Sequence, residues 1–211
     1  MKIDSPKIPN DLPAMNFQDI FYQEDPELEL CIINDSDFTN EVLDRPRLSQ
    51  MFVKNCRFNN TDFSHIEMTD VIFENCDFSN ANLSNSSIHR VVFKNCKLLG
   101  LDLTESRFGN VEFDNSVLNL TGFGNSKFEK VKFQDTSLVS ADFYDCIFKN
   151  IEFNSCKIDG SNFEKTRLKG VDLSNSTFES LIVSFEDLNG CKINSYQAVQ
   201  IASLLGLIVT D

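Results

Sequence analysis

The chain has 211 residues, with 19 Lys and Arg against 32 Asp and Glu, a formal charge of −13. That balance excludes a basic nucleic-acid binder, because neutralising phosphates takes an excess of cations, and the 41% apolar content excludes a disordered chain. No run approaches the length of a membrane-spanning helix, and the start, MKIDSPKIPNDLP, has no apolar h-region; neither a membrane partner nor a secretory signal is expected.

Residues 1–30 hold seven acids, two lysines and four prolines, Pro6, Pro9, Pro13 and Pro26. Their apolar residues Phe17, Ile20 and Phe21 share no fixed spacing with the apolar residues beyond position 30. This segment reads as an irregular N-terminal cap with a mobile tip.

Residues 31–195 divide into 33 consecutive five-residue units without an insertion or deletion. CDFSN from Cys76, ANLSN from Ala81, ADFYD from Ala141 and SNFEK from Ser161 are examples. The third residue is apolar in every unit and is Phe in 16 of them, including Phe58, Phe78, Phe113, Phe133 and Phe153. The first residue is small or aliphatic in 30 of the 33; Glu41, Pro46 and Glu186 are the exceptions. A period of five fits neither a helix face nor a strand face. An apolar pair two residues apart is a strand fragment pointing both side chains one way, and the polar pair after it is a turn. Each unit is therefore a short strand and a corner, and stacked coils of such units make one continuous core that no single coil could hide. The weakest units are residues 41–55, where a local bulge is expected.

The seven cysteines, Cys31, Cys56, Cys76, Cys96, Cys146, Cys156 and Cys191, all occupy first positions. No CxxC pair occurs, so they are expected as small free core thiols and not as a metal or disulfide set. An odd count without a signal peptide points to a reducing cytoplasm. His65 and His89 fall at outward positions with no motif around them, and Gly122-Phe-Gly124 lacks the Lys-Ser/Thr of a phosphate loop. No cofactor and no enzymatic activity are expected.

Tyr196–Leu205 reads as one short amphipathic helix, with Ser195 as N-cap and Gly206 just past the end. Residues 196–211 carry more apolar groups than a solvent-facing tail needs, so they are expected to plug the last coil and to form a two-fold interface through Tyr196, Ile201, Leu204, Leu205, Leu207 and Ile208.

The small-Asp/Asn-Leu/Phe pattern of these units resembles that of pentapeptide-repeat proteins. Over about four fifths of the chain the resemblance implies an all-β fold, a right-handed quadrilateral β-helix with four units per coil. That makes about eight coils here, roughly 40 Å at the inter-strand spacing, with a short C-terminal α-helix. DLNGCKINSYQAVQIASLLGLIV, with Asn194, Tyr196, Gln197 and Ala198, resembles the C-terminus of the Qnr quinolone-resistance group. That resemblance implies a tail-to-tail homodimer whose shape and charge imitate B-form DNA. The implied partners are DNA gyrase and topoisomerase IV, which such a rod relieves of quinolone poisoning; nucleic acid itself is not bound. Many Qnr proteins carry two loops inserted in the coils. The unbroken grid here is similar to the loop-free chromosomal type of Gram-positive bacteria. It opens two alternatives, gyrase inhibition without drug protection, as implied by the loop-free mycobacterial relative, and a non-enzymatic interaction scaffold.

Four units per coil sort the outward residues into four sides. The side centred on residues 43, 63, 83 and onward carries Asp44, Asp62, Asp102, Glu105, Asp142, Asp145 and Glu164, which are the expected partner-binding residues. The side centred on 48, 68, 88 and onward is net basic, with Arg47, Arg90, Arg107, Lys127, Lys130, Lys149, Arg167 and Lys169.

Overall fold

The computed structural model describes residues 1–204 and 206–210. Its backbone is set by the fifth residue of each unit, which turns through the left-handed region almost without exception: φ is 55° at Asn60, 57° at Asn80 and 53° at Asn95. Asn tolerates this conformation better than most L-residues, which is why it recurs there. Stacked corners also bond to one another. Asn75 Nδ2 donates to Asn55 Oδ1 at 3.2 Å, Asn115 Nδ2 to Asn95 Oδ1 at 2.8 Å and Asn60 Nδ2 to Asn40 Oδ1 at 3.1 Å.

These corners close a coil every twenty residues. Strands β1 (Ala14–Met15), β2 (Glu27–Glu29) and β3 (Ile32–Asn34) lead into six eight-residue strands. These are β4 (Arg47–Lys54), β5 (Glu67–Glu74), β6 (Ser87–Lys94), β7 (Arg107–Asp114), β8 (Lys127–Gln134) and β9 (Ile147–Asn154). Each covers two units and bends at its own left-handed residue, such as Asp70 or Asn110. All pair in parallel with partners twenty residues away, as in Val71 with Val91 and Phe113 with Phe133. The other two sides are linked by single bridges such as Asp77 to Lys97 and Asp62 to Asn82. β10 (Ser161–Asn162) and β11 (Leu181–Ile182) continue the stack. Helix α1 (Ser195–Leu204) ends it. The result is a parallel β-solenoid of about eight coils.

The first and third residues of the units point inward as the pattern requires. Phe58, Phe78, Phe113, Phe133 and Phe153 are all buried. The rings of Phe73, Phe93, Phe113, Phe133 and Phe153 form one stacked column, with successive centroids 5.0–5.1 Å apart and planes within 10°. That spacing is close to the coil step of about 4.8 Å, so one aromatic shape repeats without adjustment. All seven thiols are free; six are buried and Cys191, in the last coil, is half-buried. Burial pushes the Cys146 thiol up to about 12 and that of Cys156 to about 11.

The structure departs from the sequence expectations in four places. The coil register begins at Pro26, not Cys31: Glu27–Glu29 pairs with Arg47–Ser49 at the full twenty-residue offset, Leu28 is buried, and Leu30 makes the corner at φ 51°. The bulge expected within 41–55 is absent, since Val42 bridges Asp62 and β4 pairs in strict register with β3 and β5. Pro46 is tolerated because a first-position N–H either serves a local turn, as Ile66 N does to Phe63 O, or reaches a hydroxyl one coil on, as Ser86 N does to Ser106 Oγ, and one coil beyond Pro46 stands Ile66, which has none. The helix N-cap is Asn194, not Ser195. Asn194 Oδ1 accepts from Gln197 N and Asn194 N donates to Gln197 Oε1, both at 2.9 Å, which is a capping box. Lastly, the N-terminal tip is laid along the rod. Lys7 N donates to Asp70 Oδ1 at 2.8 Å and Asp4 N to Asn110 Oδ1 at 3.1 Å. Between this strap and the first coil, a 3-10 helix over Phe17–Tyr22 drops Phe17 and Ile20 into the open end of the core, with the Phe17 ring 4.7 Å from Phe38 and 4.9 Å from Phe58.

Candidate protein-interaction surface

The acidic side is built from second-position carboxylates and from corner residues. Bridges stack Val42, Asp62, Asn82, Asp102, Gly122, Asp142 and Asn162 in one column. Its carboxylates therefore recur every second coil, about 10 Å apart at the coil spacing. Each has a local task. Asp62 Oδ1 accepts the Ser64 N–H at 2.9 Å, Asp102 Oδ1 that of Thr104 at 2.9 Å and Asp142 Oδ1 that of Tyr144 at 3.1 Å. These are Asx turns that hold the corner. Where the same turn recurs at Asp37 and Asp172, the hydroxyls of Thr39 and Ser174 hold the carboxyl below its usual range. The intervening amides finish the ladder: Asn82 Nδ2 donates to Asp62 Oδ1 at 3.1 Å and Asn162 Nδ2 to Asp142 Oδ1 at 2.9 Å. One carboxylate oxygen is thus used inside the coil and the other is left for solvent or a partner. Asp44, Glu105, Asp145 and Glu164 are exposed.

On the other sides several charges pair along the stack, and on this side, among the described residues, none does. Arg57 pairs with Asp37, Lys97 with Asp77, Lys132 with Glu112, Lys149 with Glu129 and Arg90 with Asp70, each across one coil. Lys54 and Lys94 flank Glu74. On the acidic side, among the described residues, the only ion pair is Arg45 to Asp44 at 3.9 Å. Lys165 lies over the Tyr144 ring, 4.8 Å from its centroid, and Tyr144 raises its pKa.

The far end carries the second expected surface. Gln197 is buried, and its Nε2 donates to Leu173 O at 2.8 Å and Ser176 O at 2.7 Å; Asn194 Nδ2 donates to Ser174 O at 2.7 Å. Two amides therefore fasten α1 to the last coil, and the Asn-x-x-Gln spacing was their signal in the sequence. Ile201 is turned onto its own chain and belongs to the plug, not to the outer surface. Gly206, at φ 73°, ends the helix, with its N–H on Ser203 O and that of Leu207 on Ala202 O. Tyr196, Leu207 and Ile208 are exposed, Ile208 by 90%, and so are Val199 and Val209, which the apolar pattern of the tail did not single out. Leu205 and the side chain of Leu204 lie outside the described residues. Among the described residues no cluster of His, Cys, Asp and Glu is arranged to hold a metal, and no helix is long and apolar enough to cross a membrane.

A stack of four-unit coils with a plugged end and an uncompensated acidic side defines a pentapeptide-type β-solenoid. The family profile described as a pentapeptide repeat region matches residues 66–143, 86–163 and 127–201. The chain belongs to the pentapeptide-repeat family. Among solved structures it is similar in fold to a trypsin-treated variant of QnrB1, a plasmid-mediated fluoroquinolone resistance protein. That likeness has a TM-score of 0.59 at 21% identity, over 94% of this chain and 98% of that one. A second trypsin-treated QnrB1 variant gives a TM-score of 0.49 at 21% identity, over 95% and 100% of the two chains. HetL is a pentapeptide repeat protein involved in heterocyst differentiation regulation from the cyanobacterium Nostoc sp. strain PCC 7120. It gives 0.43 at 11% identity, over 80% and 91%. No curated protein matches the chain by sequence.

Proposed function

We propose that this protein is a DNA-mimicking rod that binds DNA gyrase and topoisomerase IV and protects them from quinolones. The observation that carries the proposal is the acidic column. Asp62, Asp102 and Asp142 stand on one line with Glu105, Asp145 and Glu164 beside them, and among the described residues none of these six is ion-paired. A basic DNA-binding groove meets such a surface as it meets a phosphate backbone, through broad potential and not atom for atom, since the carboxylates are more widely spaced than phosphates. The protein acts by binding, not catalysis, and no cofactor is involved. A tail-to-tail dimer through Tyr196, Leu207 and Ile208 doubles the rod to about 80 Å.

The test is a gyrase supercoiling assay with and without ciprofloxacin, titrating the protein at two salt concentrations. Restored supercoiling that weakens steeply with salt, and is lost in Asp102→Lys/Asp142→Lys, is the expected result. No effect in either arm refutes it and leaves an interaction scaffold. For the dimer, Ile208→Asp should sediment as a monomer; a dimer that survives it removes the tail interface.

A second reading is gyrase inhibition without drug protection. The unbroken coil register from Pro26 to Asn194 favours it, because loops of the kind inserted in many Qnr proteins have no counterpart here. Inhibition without rescue in the same assay would establish this reading.

A further inference from the structure

The strap occupies a groove with a periodicity of its own. It runs over the corner formed by residues 50, 70, 90, 110, 130 and 150, the next corner round the coil from Glu105 and Asp145. Gln50 Nε2 donates to Lys7 O at 3.3 Å, Asp70 Oδ1 accepts from Lys7 N and Asn110 Oδ1 accepts from Asp4 N. The Met1 nitrogen meets Glu152 further on. Asp70 and Asn110 are both buried although they sit at corners. Between them, Arg90 clamps Asp70 through Nε at 2.6 Å and Nη2 at 2.7 Å, and Lys130 lies 3.8 Å from Asp4. Acceptors and cations thus alternate along the corner.

The contacts advance three strap residues for every two coils. Two coils measure about 9.6 Å. One turn of a polyproline II helix is three residues and about 9.3 Å. The two repeats match to a few per cent, so every third N–H of such a helix finds an acceptor on alternate coils. The strap is suited to that conformation. Pro6 lies within it and Pro9 directly follows it, and it has no positive φ and no cis peptide. Ile3, Pro6 and Ile8 are half-buried against the rod. Lys7 and Asp4 are held through their main-chain N–H groups, which any residue except proline provides.

We propose that this corner is a docking groove for a polyproline II segment, occupied in cis by residues 1–8. The external partner it fits is a protein segment of the same chemistry: extended, proline-containing, with free main-chain N–H groups at every third residue. Such a segment gains access by displacing the strap. The proposal does not rest on the acidic column and uses none of its residues.

Two measurements on the full chain test it. Amide exchange should show the N–H groups of Asp4 and Lys7 protected and that of Lys2 fast; random-coil exchange at all three overturns the proposal. In Asp4→Pro/Lys7→Pro the strap loses both donors while the groove is unchanged. A fluorescent peptide carrying residues 1–10 should then bind this variant at least about tenfold more tightly than the wild type, where the tethered strap competes. Adding Asn110→Gly, which keeps the left-handed corner and removes one acceptor, should weaken the peptide about fivefold. Equal binding to variant and wild type, no binding to either, or equal binding by a peptide with proline at positions 4 and 7 overturns the assignment.

Discussion

Removing one ring from the aromatic column measures how rigidly the coils hold their spacing. Phe113 is fully buried and stacked between Phe93 at 5.1 Å and Phe133 at 5.0 Å, with the edge of Phe123 at 6.3 Å. In Phe113→Ala the neighbours cannot close the gap, because their backbones are fixed by the parallel pairing of Val111 and Phe113 with Val131 and Phe133. The full truncation cost therefore applies, about 3–5 kcal/mol. Against a total of roughly 5–15 kcal/mol for a folded domain that is a large share, and at about 2–4 °C per kcal/mol it lowers Tm by roughly 6–20 °C. Urea denaturation followed by circular dichroism reads it as a lower midpoint at unchanged slope. Phe52 is the internal control. It is half-buried on the outer surface, 5.8 Å from the Lys54 ammonium, so Phe52→Ala should cost about 1 kcal/mol or less. A loss under 1 kcal/mol for Phe113→Ala, or equal losses for the two, would refute the inward assignment.

Three other outcomes are expected. Gln197→Ala leaves the carbonyl of Ser176 without its donor, takes one of two donors from that of Leu173, which keeps Ser176 N, and breaks the capping box, so α1 should fray, seen as fast amide exchange over residues 195–204, at a cost of about 2–3 kcal/mol; unchanged exchange would contradict the anchoring role. Thiol labelling of the native protein should proceed first at Cys191, with the six buried cysteines at least about tenfold slower; uniform fast labelling would mean that the first positions do not face inward. Asp70 should make stability acid-sensitive. Arg90 holds its carboxyl below the usual range, so its contribution is present above the unfolded value of about 3.9 and fades as pH falls through the lowered folded value. Asp70→Asn should thus cost about 2 kcal/mol at pH 7 and progressively less below pH 4; a difference independent of pH would show that the ion pair contributes nothing.

The five-residue grid made the solenoid legible because inward residues are selected by size and apolarity, and that selection leaves a period. It hid the first unit, Pro26–Leu30, because Leu30 sits at a corner where Asn is usual, and two glutamates flank the inward Leu28. The bulge expected around Pro46 rested on side-chain type, whereas the N–H that proline lacks would have met no acceptor one coil on, where Ile66 stands. Asp62, Asp102 and Asp142 could be placed on one line from spacing alone. That charges on the neighbouring sides pair across coils while these do not could not, since it depends on which long side chains reach one step up or down. The strap left the weakest trace of all. Main-chain N–H groups meeting Asp70 and Asn110 impose no residue type on positions 4 and 7, so no pattern records them.

The strap also changes what counts as a unit of growth. A bare solenoid lengthens one coil at a time, and every copy of twenty residues is as good as the next. Here a single added coil between Asp70 and Asn110 would put the strap out of step by about one and a half residues, and its N–H groups would face the wrong coils. A pair of coils would be absorbed by three more strap residues. For the strapped region the natural increment is forty residues, and rods of this design should differ in length by even numbers of coils.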